Sequence, residues 1–193
     1  MIFRAAASRH EFSEKTSLEL MNTTYGEART EELARWLGYI TDALDREPRG
    51  LREIVGWNDA GQPAVIRVAP VVDGKPFPTL YWLIDPQWNL LLDRLEASGQ
   101  IAALQAMVDQ SATLRSRMRE DHALYRDARD RFMTLEEKQF LEAEGMMSAF
   151  TERGIGGIVD PDRVRCLHTW YAAHWVQPNS IGGLIDDIVA RSD

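Results

Sequence analysis

The chain has 193 residues, 45% of them hydrophobic, which is enough for a sizeable core and excludes global disorder. Its formal net charge of −8 argues against a general nucleic-acid or anionic-membrane surface, because either would need a basic face. One cysteine, Cys166, excludes an internal disulfide framework and fits a reducing compartment.

Met1–Ser8 is too short for a signal-peptide core before Arg9, His10, Glu11 and Glu14, and no apolar run approaches the roughly 20 residues of a membrane helix. The expected setting is cytoplasmic. Residues 1–29 lack a clear period and read as an N-terminal arm, with a short helix expected at Ser17–Met21. Residues 30–193 read as a single α+β domain, mostly helical.

Thr30 is the expected N-cap of a first helix carrying Leu33, Trp36, Leu37, Ile40 and Leu44, closed by Pro48 and Gly50. Leu51–Gly61 reads as a connector. Ala64–Val72 and Thr79–Ile84 read as strands of one small antiparallel sheet over about 64–84, turning at Asp73-Gly74. Pro70, Pro76 and Pro78 push these strands toward an edge or a bulge. From Asp85-Pro86 onward the pattern is helical. Helices are expected from Pro86 to Gly99, at Ile101–Val108, at Ser111–Phe132, and at Thr134–Phe150 with a capping box at Thr134/Glu137. Arg153–Asp160 is a loop. Asp160 as N-cap, Pro161 at the first position and Asp162 in the first turn predict the next helix from Asp160 to about Val176. A last short helix is expected at Ile181–Val189.

Several stretches together resemble the bacterial family called domain of unknown function 501. These are Arg46-Glu-Pro-Arg-Gly50, Gly74-Lys-Pro-Phe-Pro-Thr-Leu-Tyr-Trp-Leu83, Arg94-Leu-Glu-Ala-Ser-Gly99 and Asp162-Arg-Val-Arg-Cys-Leu-His168. His174 and Asn179 also fit its pattern, and the likeness covers roughly Leu44–Gly183. It implies kinship without an activity. Members of that family often carry a cysteine in the connector and a cysteine or histidine before the proline after the second strand. Those places hold Asn58 and Asp85 here, so the resemblance implies a site poorer in soft ligands.

The chemistry-bearing residues fall on two expected helices. On the helix expected from Asp160, Val164, Leu167, His168, Tyr171 and Trp175 share a face, and Cys166 lies about 200° from His168. The two are therefore not expected to form a nucleophile–base pair. On the long helix, His122 and Arg129 interrupt a seam otherwise formed by Met118, Tyr125 and Phe132, so both need partners.

Joining the helices gives the leading expectation, a pocket for a phosphate or carboxylate ligand. In it His168 and His122 are acid–base groups, and Arg129, Arg165, Tyr125, Arg163 and His174 bind the anion. One alternative is a non-catalytic interaction module in which the histidines and Cys166 are structural and some of the six tryptophans form a contact surface. Another is a zinc protein drawing on Cys166, His168, His174, His122 and Asp85. No other cofactor is implied. The expected partners are a small anionic ligand and a second copy of the chain through an edge strand or the first helix, without nucleic acid or membrane. The sequence carries no phosphate loop, Gly-x-Gly-x-x-Gly, Gly-x-Ser-x-Gly or His-Glu-x-x-His motif, and whether it is an enzyme stays open.

Overall fold

A computed structural model of the chain describes residues 29–191; residues 1–28 of the expected N-terminal arm, with the helix expected at Ser17–Met21, lie outside them. The chain divides into two compact units, one ending at Tyr39 and one beginning at Ile40. Helix α1 occupies 29–44, so Thr30 lies within it rather than capping it. It ends at Asp45, which takes a positive φ of 52°, three residues before Pro48. In the first unit Trp36 and Tyr39 meet edge to face at 5.8 Å.

The second unit begins its sheet earlier than the sequence pattern indicates. Leu51–Trp57, expected as a connector, is strand β1. Its alternation is blurred because the register slips at three places along its pairing with the next strand. Gly56 has a packing reason: a Cβ there would lie 2.6 Å from Cδ1 of Trp175. Strand β2, Pro63–Val68, is buried along its whole length and sits between β1 and β5 (Tyr81–Leu83) in an antiparallel sheet. Arg67 is buried on this central strand because Glu53 Oε2 accepts from its Nε and Nη2 at 3.0 and 2.7 Å. Its guanidinium also stacks over Phe132.

The Asp73-Gly74 turn forms as expected, with both residues at positive φ. It joins a separate two-residue ribbon, β3 (Val71–Val72) with β4 (Lys75–Pro76), rather than the main strands. The sequence expectation of one sheet is thus corrected to a three-stranded sheet and a short ribbon among the described residues.

Helices follow. Helix α2, Pro86–Ala97, is capped by the Asp85 carboxylate, which accepts from Gln87 N and Trp88 N. Helix α3 is Gln100–Gln110, and α4 is Ala112–Phe132 with Ser111 as cap. Helix α5, Leu135–Ala143, carries the predicted Thr134/Glu137 capping box. It stops at Gly145, with φ 65°, so the single helix expected over Thr134–Phe150 is two, the second being α6 at Ser148–Thr151. A 3-10 turn at Ile155–Gly157 leads to α7, Leu167–Val176, and α8, Ser180–Ala190, closes the described chain.

Helix α7 starts six residues later than the capping signals at Asp160 predict, with Cys166 in the N-cap place. Those signals are spent on a turn: Asp160 Oδ1 accepts from Asp162 N, and Asp160 O accepts from Arg163 N. The Gln105 side chain then donates to Asp162 O and accepts from Val164 N, satisfying backbone groups that a helix would otherwise use. Helix α7 is the centre of the core. Leu167, Trp170, Tyr171, Ala172 and Ala173 are buried against sheet residues Val65 and Leu83, against Leu92, Leu104 and Met118 of α2–α4, and against Ile181 and Ile185 of α8. No helix among the described residues is long and apolar enough to cross a membrane.

Candidate functional site

Cys166 precedes α7 in an extended conformation, φ −141° and ψ 121°, and its own side chain does not cap the helix. The cap comes from α2, where Glu96 Oε1 accepts from Leu167 N at 2.7 Å. The same oxygen lies 3.2 Å from His168 Nδ1, and Cys166 Sγ lies 3.9 Å from that nitrogen. The divergence expected for two residues on one helix does not occur, because Cys166 lies outside the helix and swings back toward it. On the other side of the ring, Nε2 faces the Asn89 carbonyl at 3.3 Å and Asp93 Oδ1 at 3.4 Å. Asn89, Asp93 and Glu96 are spaced four and three apart on α2, so one stripe of that helix surrounds the imidazole.

The electrostatics follow from this packing. The hydrogen bond to Cys166 raises the His168 pKa most; burial opposes it, and the charges of Cys166 and Glu96 add to the rise, which reaches about 9. Burial alone would raise the Cys166 thiol. The hydrogen bonds from His168 and from the Thr169 backbone outweigh it, and the thiol ends below its ordinary value.

The three candidates on α4 serve other parts of the chain. His122 is buried, its Nδ1 accepts from Ile155 N at 2.9 Å, and its ring lies 4.9 Å from that of Trp170. Burial, helped by the charge of Arg126, pushes its pKa down to about 4. The Tyr125 hydroxyl accepts from Leu80 N at 2.6 Å, and burial pushes its pKa up to about 12. Arg129 is 1% exposed; it donates to Pro78 O and Arg153 O, both at 2.6 Å, and to Phe150 O. Its partners are carbonyls, and burial lowers its pKa. These three side chains tie the segments at 78–80 and 150–155 to α4, and they share no hydrogen-bond partner with His168 among the described residues.

His174 belongs to a third place. Its Nε2 is 3.0 Å from Asp186 Oδ2, and its Nδ1 accepts from Asn179 N at 2.9 Å. Tyr171 donates to Asp186 Oδ1 at 2.8 Å. His174 and Tyr171, with Trp88, Trp175, Asn58 and Asp85, border a cleft of about 610 Å³. Asp85 is itself enclosed: Oδ1 caps α2, and Oδ2 accepts from Asn58 Nδ2 at 2.7 Å.

Arg163 and Arg165 line a different groove, about 800 Å³, with Arg153, Asp160 and the first turn of α3. Arg153 donates to Gly157 O, and Arg163 approaches Asp160 at 3.7 Å. Arg165 is exposed, and no hydrogen bond or ion pair engages it among the described residues. Ile101, Ala102, Ile158 and Val164 give the groove an apolar floor. Helix α3 opens there from Gly99, at φ 88°, without a side-chain cap.

The family described as "Protein of unknown function (DUF501)" matches residues 54–187. The chain belongs to the DUF501 family. The match begins at Ile54 within β1 and takes in the rest of the three-stranded sheet, α2–α7 with the Cys166–His168 segment, and most of α8. No curated protein and no solved structure matches the chain. The two DUF501 positions that the resemblance associates with soft ligands, Asn58 and Asp85, prove to be direct neighbours. Sequence reasoning missed Glu96, Asp93 and Asn89. Glu96 lies in the Arg94–Gly99 stretch that carries part of the family likeness, but no spacing rule links it to a residue 71 positions later.

Proposed function

We propose that this DUF501 protein binds a small anionic ligand, a phosphate or carboxylate carried on an apolar body, in the groove between α3 and the 153–165 segment. The observation that carries this reading is the local inversion of charge. In a chain of net charge −8, three arginines and one aspartate line the groove. Arg165 adds an unengaged guanidinium, which can hold a phosphate or carboxylate through two parallel hydrogen bonds. The uncapped start of α3 adds free N–H groups and the positive end of a helix dipole. The apolar floor favours a ligand with a hydrocarbon or ring portion behind its anionic group. The anion reading thus moves from His122 and Arg129, which are engaged internally, to Arg153, Arg163 and Arg165. The lone thiol supports a cytoplasmic setting for it.

The test is an amide-detected NMR titration with inorganic phosphate, hexanoate and hexyl phosphate. The expected result is perturbation of Gly99, Ile101 and Arg165, with hexyl phosphate tighter than phosphate, since each buried methylene contributes about 0.8 kcal/mol. Arg165→Ala is expected to weaken binding about tenfold or more, the scale of a lost charge-assisted hydrogen bond. Perturbations confined to other surfaces, or equal binding by the variant, would sink the reading.

A further inference from the structure

We infer that Glu96, Cys166 and His168 form a binding site for one divalent cation of the zinc class, separate from the arginine groove. Three chemically distinct ligand atoms, a thiol sulfur, an imidazole nitrogen and a carboxylate oxygen, lie within 4.8 Å of one another. Tetrahedral zinc, with bonds of about 2.3 Å to sulfur and about 2.0–2.1 Å to nitrogen or oxygen, sets sulfur and nitrogen about 3.6 Å apart and nitrogen and oxygen about 3.3 Å apart. The observed separations are 3.9 Å for Cys166 Sγ to His168 Nδ1 and 3.2 Å for His168 Nδ1 to Glu96 Oε1. Small rotations about the Cys166 and Glu96 side chains close the set around an ion.

The surroundings of the ligands point the same way. Nε2 of His168 faces two acceptors, the Asn89 carbonyl and the Asp93 carboxylate, so its proton is held there and Nδ1 is turned toward Cys166 and Glu96. A ligating histidine whose other nitrogen donates to a carboxylate or carbonyl is a recurrent feature of zinc sites, because that bond fixes the ring and its tautomer. Glu96 is oriented as well: the Leu167 amide fixes Oε1, and each carboxylate oxygen has a second lone pair. Thiolate with imidazole selects zinc over magnesium or calcium, which prefer oxygen alone. All three side chains are partly exposed, so water completes the coordination. Three protein ligands and one water is the arrangement of sites that activate water rather than of sites that staple a fold.

The His174–Asp186 pair does not compete for this role. His174 Nδ1 is committed to the Asn179 amide and Nε2 to Asp186, so neither nitrogen faces a second soft donor.

The experiment uses the full chain, stripped of metal and then titrated with Co²⁺ and Zn²⁺, followed by native mass spectrometry and absorption spectroscopy. One ion per chain is expected, with tetrahedral cobalt bands and a thiolate-to-cobalt charge-transfer band. Cys166→Ser removes the charge-transfer band. Glu96→Gln, which keeps an acceptor for the Leu167 amide, weakens binding. Asp93→Asn, at a side chain 69% exposed and therefore safe for folding, weakens affinity about 10–100-fold. Circular dichroism of the metal-free variants checks their fold. Absence of a stoichiometric ion, a cobalt spectrum without the charge-transfer band, or affinity unchanged in Glu96→Gln and Asp93→Asn would each overturn the proposal.

Discussion

The carboxylate of Glu96 caps helix α7 across 71 residues of sequence, accepting the Leu167 amide proton at 2.7 Å. Helix α7 is the centre of the core, so its starting point depends on a side chain from α2. Glu96→Ala is expected to destabilise the fold by about 0.5–2 kcal/mol, the range for loss of an N-cap acceptor. Glu96→Gln restores most of it. Urea denaturation of the three proteins checks this, and equal midpoints would show that the cap is dispensable.

Two histidines are displaced in opposite directions, which gives stability a maximum. His168 titrates at about 9 when folded against about 6.5 unfolded, so its contribution is fully present below 6.5 and is lost as pH rises from there through 9. His122 titrates at about 4 when folded, so the unfolded chain binds its proton first and stability is lost as pH falls from about 6.5 through 4. His168 adds about 3 kcal/mol at most below neutrality, and His122 removes about as much at acid pH. Denaturation midpoints across pH 4–9 are expected to peak near 6.5. Cys166→Ser should flatten the alkaline limb, because the hydrogen bond to Cys166 is the chief cause of the His168 rise. Proton NMR of the two rings reads the titrations directly.

Adjacent glycines on α8 should behave in opposite ways. A Cβ at Gly182 would lie 2.1 Å from Cγ of His174, whereas one at Gly183 meets nothing within 4 Å. Gly182→Ala must displace the His174 ring from Asn179 and Asp186 and is expected to destabilise by about 1–3 kcal/mol, the scale of overpacking. Gly183→Ala is expected to stabilise by about 0.5–1 kcal/mol, because alanine loses less backbone freedom in a helix. Thermal unfolding of both variants separates the cases.

Arg129 gathers three carbonyls from two distant segments with one guanidinium. Lysine cannot span them, since its ammonium is a single point donor. Arg129→Lys is therefore expected to destabilise nearly as much as Arg129→Met, by about 3 kcal/mol or more, the scale of stripping partners from buried polar groups. Hydrogen exchange should rise first at residues 150–155. Full rescue by lysine would show that charge alone suffices.

Local signals carried the helices well and the site poorly. The Asp85-Pro86 start and the Thr134/Glu137 box both formed where sequence places them, because each is decided within four residues. β1 was hidden by its register slips, and Gly56 reads as a loop residue until Trp175 is seen against it. The start of α7 was misplaced because Gln105, an ordinary residue on another helix, supplies the competing hydrogen bonds. The pairing of Cys166 with His168 depends on that displacement. His122 and Arg129 were correctly singled out as buried polar groups in need of partners. Their partners are backbone groups in loops, which carry no side-chain signature.

Gln105 sets more than the start of a helix. By pairing with Asp162 O and Val164 N as a neighbouring strand would, it holds that segment so that alternate residues Arg163 and Arg165 both reach one groove. Side chains two apart along such a backbone are separated by about 6.6–6.8 Å. A single neutral amide thus works as a ruler for two guanidinium groups. A helical 160–166, wound as its own residues prefer, would rotate them about 200° apart and leave no span for a ligand to measure.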